Sequence, residues 1–228
     1  MAWVQEEEAL LVSTAQDGLL RWQQGGSPVR CAADAPLALA QGPEGLIGAE
    51  DLHARIARFS TAGERGVVLA TSFEGDGLAA ARSLAVHGSG AICIVDQAGQ
   101  LLCLTPEGQL MSVGLDRPVN FVEVVGDEVL VGPVGAHSIL VLALDDAGVP
   151  GSRPVRSIEL REPALSLCGL GEGRLLLGGP TLLQLCSDDG TCLHEWRMPE
   201  AVVAIDRQRD EGVAYVATGQ QVYRLLLP

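Results

Sequence analysis

The chain has 228 residues, 47% hydrophobic and 19% charged, with a net charge of −14 and a pI near 4.6. All 15 basic residues are arginine, and aromatic residues make up 4%. That balance offers neither a basic track for phosphates nor a stacking platform for bases, so nucleic acid is not an expected partner. No run of 18 uncharged apolar residues occurs, so neither a membrane span nor a membrane partner is expected.

Met1 to Gln5 lacks the basic region and apolar run of a signal peptide, and it reads as a first short strand. The chain is therefore expected to work in the cytoplasm. Further along, one family of strands reads Ala9–Ala15 (ALLVSTA), Leu46–Asp51, Ala91–Gln97 (AICIVDQ), Glu128–Val134, Arg174–Gly179 and Val213–Thr218. Each follows a turn: Glu6–Glu8, Gly42–Gly45, Gly88–Gly90, Gly126–Asp127, Gly171–Gly173 and Arg209–Gly212. With Glu7, Glu44, Ser89, Asp127, Glu172 and Glu211 as markers, the steps are 37, 45, 38, 45 and 39 residues. Gly26, Gly63, Gly108, Gly148 and Gly190 form a second series, stepping by 37, 45, 40 and 42 in phase with the first.

One unit therefore recurs six times as four strands, A to D. In the fifth unit these are Pro163–Gly169, Arg174–Gly179, Leu182–Ser187 and Cys192–Met198. Strands apolar on both faces fit sheets sandwiched between other sheets. A lone four-stranded sheet cannot cover two apolar faces, whereas radially stacked neighbours can. The expected fold is all-β, a single six-bladed β-propeller domain with blades at about 1–34, 35–75, 76–116, 117–161, 162–199 and 200–228. A pair of small β-sandwiches is the competing arrangement, and it gives no reason for an in-phase four-strand unit.

Two segments carry a resemblance. Val12-Ser-Thr-Ala-Gln-Asp-Gly-Leu-Leu-Arg-Trp22 resembles the B-turn-C segment of a WD40 repeat, without that family's His-containing turn or Trp-Asp ending. Val95-Asp-Gln-Ala-Gly-Gln-Leu-Leu-Cys-Leu-Thr-Pro-Glu-Gly-Gln109 is similar to quinoprotein-like propeller repeats. Both imply a propeller and leave function open.

The sixth unit supplies Ala201–Asp206, Val213–Thr218 and Gln221–Leu227 and reaches Pro228 without a fourth strand. With Met1–Gln5 already used as an inner strand, the last blade is expected to be three-stranded, with an open edge. Such an edge invites pairing with another chain. Gln221, Tyr223, Arg224 and Leu225 are the expected contacts for a protein partner that adds a strand there.

Catalytic, cofactor and metal residues are all expected to be absent. Without lysine there is no Schiff base and no P-loop. Gly135-Ala-His-Ser-Ile139 is not a nucleophile elbow, because Leu140 stands where glycine is needed. His87-Gly-Ser-Gly90 joins a histidine and a serine in a turn with no evident orienting acid. Cys186, Cys192 and His194 flank a hairpin but lack a fourth zinc ligand. Cys93 is expected opposite Leu104 and Cys103 opposite Ile94, on a tight Ala98–Gly99 turn that sends the two thiols to opposite faces. No disulfide is expected at any of the six cysteines. Acidic pairs at Asp145–Asp146, Asp188–Asp189 and Asp210–Glu211 read as solvated turn formers.

Lactone-hydrolysing propellers carry a Glu/Asn/Asp metal site at the mouth of the ring, and this chain has one asparagine, Asn120, near Glu123. The carboxylates and histidines fall at turns in no convergent pattern. The expected function is accordingly a non-enzymatic protein-interaction scaffold within a larger complex. The alternative is a small-ligand or metal-dependent, lactonase-like hydrolase using the central funnel.

Overall fold

The computed structural model describes residues 1–4, 8–14, 18–23, 26–32, 38–50, 55–60, 64–70, 81–208 and 212–228. The Gln16–Asp17 turn, Gly63 and the Asp210–Glu211 pair lie outside the described residues. Blade 1 comprises β1 (Ala2–Val4), β2 (Ala9–Thr14), β3 (Gly18–Gln23) and β4 (Val29–Ala32). Blade 2 comprises β5 (Ala38–Gly42), β6 (Gly45–Glu50), β7 (Arg55–Phe59) and β8 (Arg65–Ala70). Blade 3 has β9 (Ala81–Val86), β10 (Ile92–Asp96), β11 (Leu101–Leu104) and β12 (Leu110–Val113). Blade 4 has β13 (Val119–Val125), β14 (Glu128–Pro133), β15 (Ser138–Ala143) and β16 (Arg156–Glu159). Blade 5 has β17 (Ser166–Gly171), β18 (Arg174–Gly178), β19 (Leu182–Ser187) and β20 (Cys192–Arg197). Blade 6 has β21 (Ala204–Gln208), β22 (Val213–Ala217) and β23 (Val222–Leu226).

Each sheet is an antiparallel meander in chain order, and the last has three strands, as expected. No helix among the described residues is long and apolar enough to cross a membrane.

Packing between blades explains why the strands are apolar on both faces. The six apolar clusters map one to each gap between neighbouring blades. In β10, Ile92 and Ile94 face blade 2 while Cys93 and Val95 face blade 4. In β18, Leu175 and Leu177 face blade 4 while Leu176 faces blade 6. Burying one such side chain contributes about 1.5–3 kcal/mol.

The ring closes without exchanging a strand between its first and last blades. Trp3 and Leu10 of blade 1 pack on Val213 and Tyr215 of blade 6. The Trp3 and Tyr215 rings stack with centroids 5.0 Å apart and planes 13° from parallel. Across the same junction the Trp3 N–H donates to the Asp206 carboxylate at 2.5 Å.

The outer turns share one chemistry. Asp96, Thr105 and Asp145 each accept the N–H four residues on through a side-chain oxygen, and glycines 99, 108 and 148 take positive φ just before it. At blade 5 the Ser187 hydroxyl instead donates to the Thr191 carbonyl, with Gly190 again at positive φ. This corrects one register. Asp96 N–H donates to the Gln100 carbonyl, so the blade 3 turn is Gln97–Gly99 and not Ala98–Gly99. Cys93 therefore lies opposite Cys103, and both thiols point into the blade 3–4 gap. A one-residue change of register moves every side chain to the other face.

Candidate functional site: the central channel

The inner strands β1, β5, β9, β13, β17 and β21 enclose a channel of about 1100 Å³. Each pairs on one side only, with the second strand of its own blade, so its other edge needs partners. Side chains of the neighbouring blade supply several of them. The Ser83 hydroxyl accepts the Val122 N–H at 3.1 Å. Glu123 accepts the Gly169 N–H at 3.2 Å, and Ser166 donates to the Val202 carbonyl at 3.0 Å. Arg207 donates to the Leu170 carbonyl, and Asp206 accepts from Trp3 as described. Glu123 and Asp206 thus anchor adjacent blades.

At the end where the inner strands begin, Arg82 donates to Asn120 Oδ1 at 2.9 Å. Asn120 occupies a bulge: Val119 pairs with Pro133 and Phe121 with Gly132, leaving Asn120 as the extra residue. A bulge redirects its side chain, here toward the channel that Asn120 and Arg82 both line. No carboxylate among the described residues forms an ion pair with Arg82.

The described residues do not assemble the Glu/Asn/Asp set of a metal-bearing propeller. A guanidinium sits on the Asn120 oxygen, where it would repel a cation, and Glu123 and Asp206 are engaged with backbone. Among the described residues, no group of three or more His, Cys, Asp or Glu side chains is placed to hold a metal ion.

At the opposite mouth, His87 and Gly88 line the channel. His87 Nδ1 lies 2.9 Å from Ser89 Oγ, and Asp127 of the next blade lies 3.8 Å from His87 Nε2. The equivalent turn of the neighbouring blade thus brings an acid beside His87, at ion-pair distance and beyond hydrogen-bond distance.

Other candidates disperse. Cys186 faces Cys192 across β19–β20, while the His194 ring packs on Trp196 at 4.4 Å. Burial and the neighbouring Cys192 push the Cys186 thiol up to about 12. Asp189 is held down to about 2 by the Ser187 hydroxyl and by Thr191, which makes it a turn former. His137 donates to the Arg161 carbonyl at 3.1 Å in a surface turn. Gln221 and Arg224 are exposed, whereas Tyr223 and Leu225 pack toward blade 5.

The Cys93 thiol is pushed upward by its hydrogen bond to Cys103 and by burial. In native protein a thiol reagent should modify exposed Cys192 and leave Cys93 and Cys103 untouched. Denatured, non-reduced protein should then yield all six thiols; a count of four would show a bridge.

No family model and no curated protein matches the chain. Among solved structures, an X-ray structure of a provisionally named gluconolactonase is 17% identical, with a TM-score of 0.85 over 97% of this chain and 85% of that one. A gluconolactonase from Xanthomonas campestris is 18% identical, with a TM-score of 0.82 over 100% of this chain and 84% of that one. This chain has their propeller fold. The likeness is to gluconolactonase propellers, not to WD40 proteins in particular.

Both matched proteins are named for an enzymatic activity, which overturns the expectation of a non-enzymatic scaffold and complex subunit. That expectation took each turn separately. The ring brings side chains from different blades to one channel, so residues scattered along the chain do converge.

Proposed function

We propose that the protein is a lactonase-like hydrolase that takes a small polar ester or lactone into its central channel and needs no divalent cation. The observation that carries this is Arg82 and Asn120 directed at the channel from adjacent blades. A guanidinium has donors to spare for an oxygen that gains negative charge as a carbonyl is attacked, and for the carboxylate product. The names of the two structural neighbours support the class of substrate. The reading places the reaction in the cytoplasm, consistent with six unbridged thiols.

Acid release from glucono-lactone, followed by titration at constant pH, tests it. Turnover should persist in chelator. Arg82→Ala should lower kcat/KM by about 10²-fold, the scale of losing one donor to a developing oxyanion. Loss of activity in chelator with recovery on adding a divalent metal would refute the metal-free chemistry. Absence of any lactone or ester turnover would refute the function.

A further inference from the structure

We infer that Ser89, His87 and Asp127 form a nucleophilic acyl-transfer site beside the channel mouth opposite Arg82, His87 being the one of the three that lines the channel. The turn itself sets the geometry. His87 N–H donates to the Ala91 carbonyl and Gly90 N–H to the His87 carbonyl, both at 2.9 Å, which folds Ser89 back over the His87 ring. Ser89 N–H also points at His87 Nδ1, at 3.3 Å. Nδ1 is therefore the unprotonated nitrogen and Nε2 carries the hydrogen. That tautomer presents a lone pair to the Ser89 hydroxyl at 2.9 Å and an N–H toward Asp127 Oδ1 at 3.8 Å. The roles are those of a serine–histidine–acid triad with the two ring nitrogens exchanged.

Three further features bear on the reacting hydroxyl. The His87 side chain is 17% exposed, so the base is shielded, while Ser89 is open to solvent. The Ser89 hydroxyl has a second acceptor in the Ala147 carbonyl at 3.1 Å, so its one hydrogen turns from that carbonyl to reach His87 Nδ1, while its oxygen accepts the Ala91 N–H at 3.3 Å. Gly148 of the next blade passes directly over the pair: a Cβ there would lie 2.6 Å from Ser89 Oγ and 2.7 Å from His87 Nδ1. Glycine leaves that space free.

The step balances within these groups. Ser89 Oγ bonds to the carbonyl carbon of an ester or lactone as its proton passes to His87 Nδ1. The acyl C–O bond then breaks, and the departing alkoxide takes the proton from Nδ1. A water molecule, deprotonated by the same nitrogen, cleaves the acyl-serine and restores the hydroxyl. The site is separate from the Arg82–Asn120 pair: Arg82 and His87 stand at the two ends of β9, roughly 16 Å of extended chain apart, so the two do not act on one carbonyl.

The test is covalent labelling by an alkyl fluorophosphonate, located by peptide mass spectrometry. The wild-type protein should carry its adduct on Ser89. His87→Gln should slow labelling at least about 10²-fold, the lower scale for removing a general base. Asp127→Asn should slow it by about fivefold or less, because the carboxylate is 95% exposed and its pull is screened. Ser89→Asn, which retains a side-chain acceptor for the Ala91 N–H, should melt like wild type and take no label. No adduct, an adduct on another serine, or wild-type labelling of His87→Gln would overturn the assignment. Labelling at Ser89 without lactone turnover would uphold the nucleophile and sink the lactonase reading.

Discussion

Alanine at Trp3 should lower the unfolding free energy by about 3–5 kcal/mol, the usual loss for a buried tryptophan or phenylalanine. Two things make the position sensitive. Trp3 is 5% exposed and stacks on Tyr215, so its removal leaves a cavity between blades 1 and 6. This gap also closes the ring without a shared strand, so no main-chain ladder across it compensates. Stacking adds about 0.5–1.5 kcal/mol beyond area burial. Asp206→Ala should weaken the same junction by about 1.5–3 kcal/mol, because it removes a hydrogen bond to a charged group. Urea unfolding at unchanged m-value measures both. A loss below about 1 kcal/mol for Trp3→Ala would mean that closure is held elsewhere.

Gly132→Ala should destabilise the protein by about 3 kcal/mol or more, at the upper end for overpacking. A methyl there would lie 2.2 Å from Phe121 Cε1 and 2.3 Å from Cζ. Phe121 cannot yield, because it is 5% exposed and packed against Leu130, Ile139 and Leu167. Phe121 also borders the Asn120 bulge, so the strain should reach the Arg82–Asn120 pair and raise KM for the channel substrate. Phe121→Leu in the Gly132→Ala background should recover part of the stability, a coupling that a double-mutant cycle reads directly. Additive losses would show that the ring and the glycine do not meet.

Much of the architecture was legible in the residues. Two in-phase series of turns fixed the number of blades, and strands apolar on both faces required a neighbour on each side. The Cys93–Cys103 register was misread because Ala98–Gly99 looks like a two-residue turn. The corrective signal was present: an Asp, Thr or Ser three residues before glycine recurs at 96–99, 105–108, 145–148 and 187–190. That pattern belongs to a three-residue loop with its glycine in the left-handed region.

The channel site was harder to see. Its pairs sit one blade apart: Arg82 and Asn120 are 38 residues apart, Ser83 and Val122 39, and Glu123 and Gly169 46. In a closed ring, one repeat along the chain is one step around the circle, so equivalent positions become neighbours. Ser89 and Asp127, the markers of two successive units, meet across His87 for this reason. Local pattern determined each blade, since turn chemistry and strand alternation act within a few residues. Which carboxylate faces which histidine was decided only by the radial stacking of the sheets, because that distance depends on how neighbouring apolar faces pack.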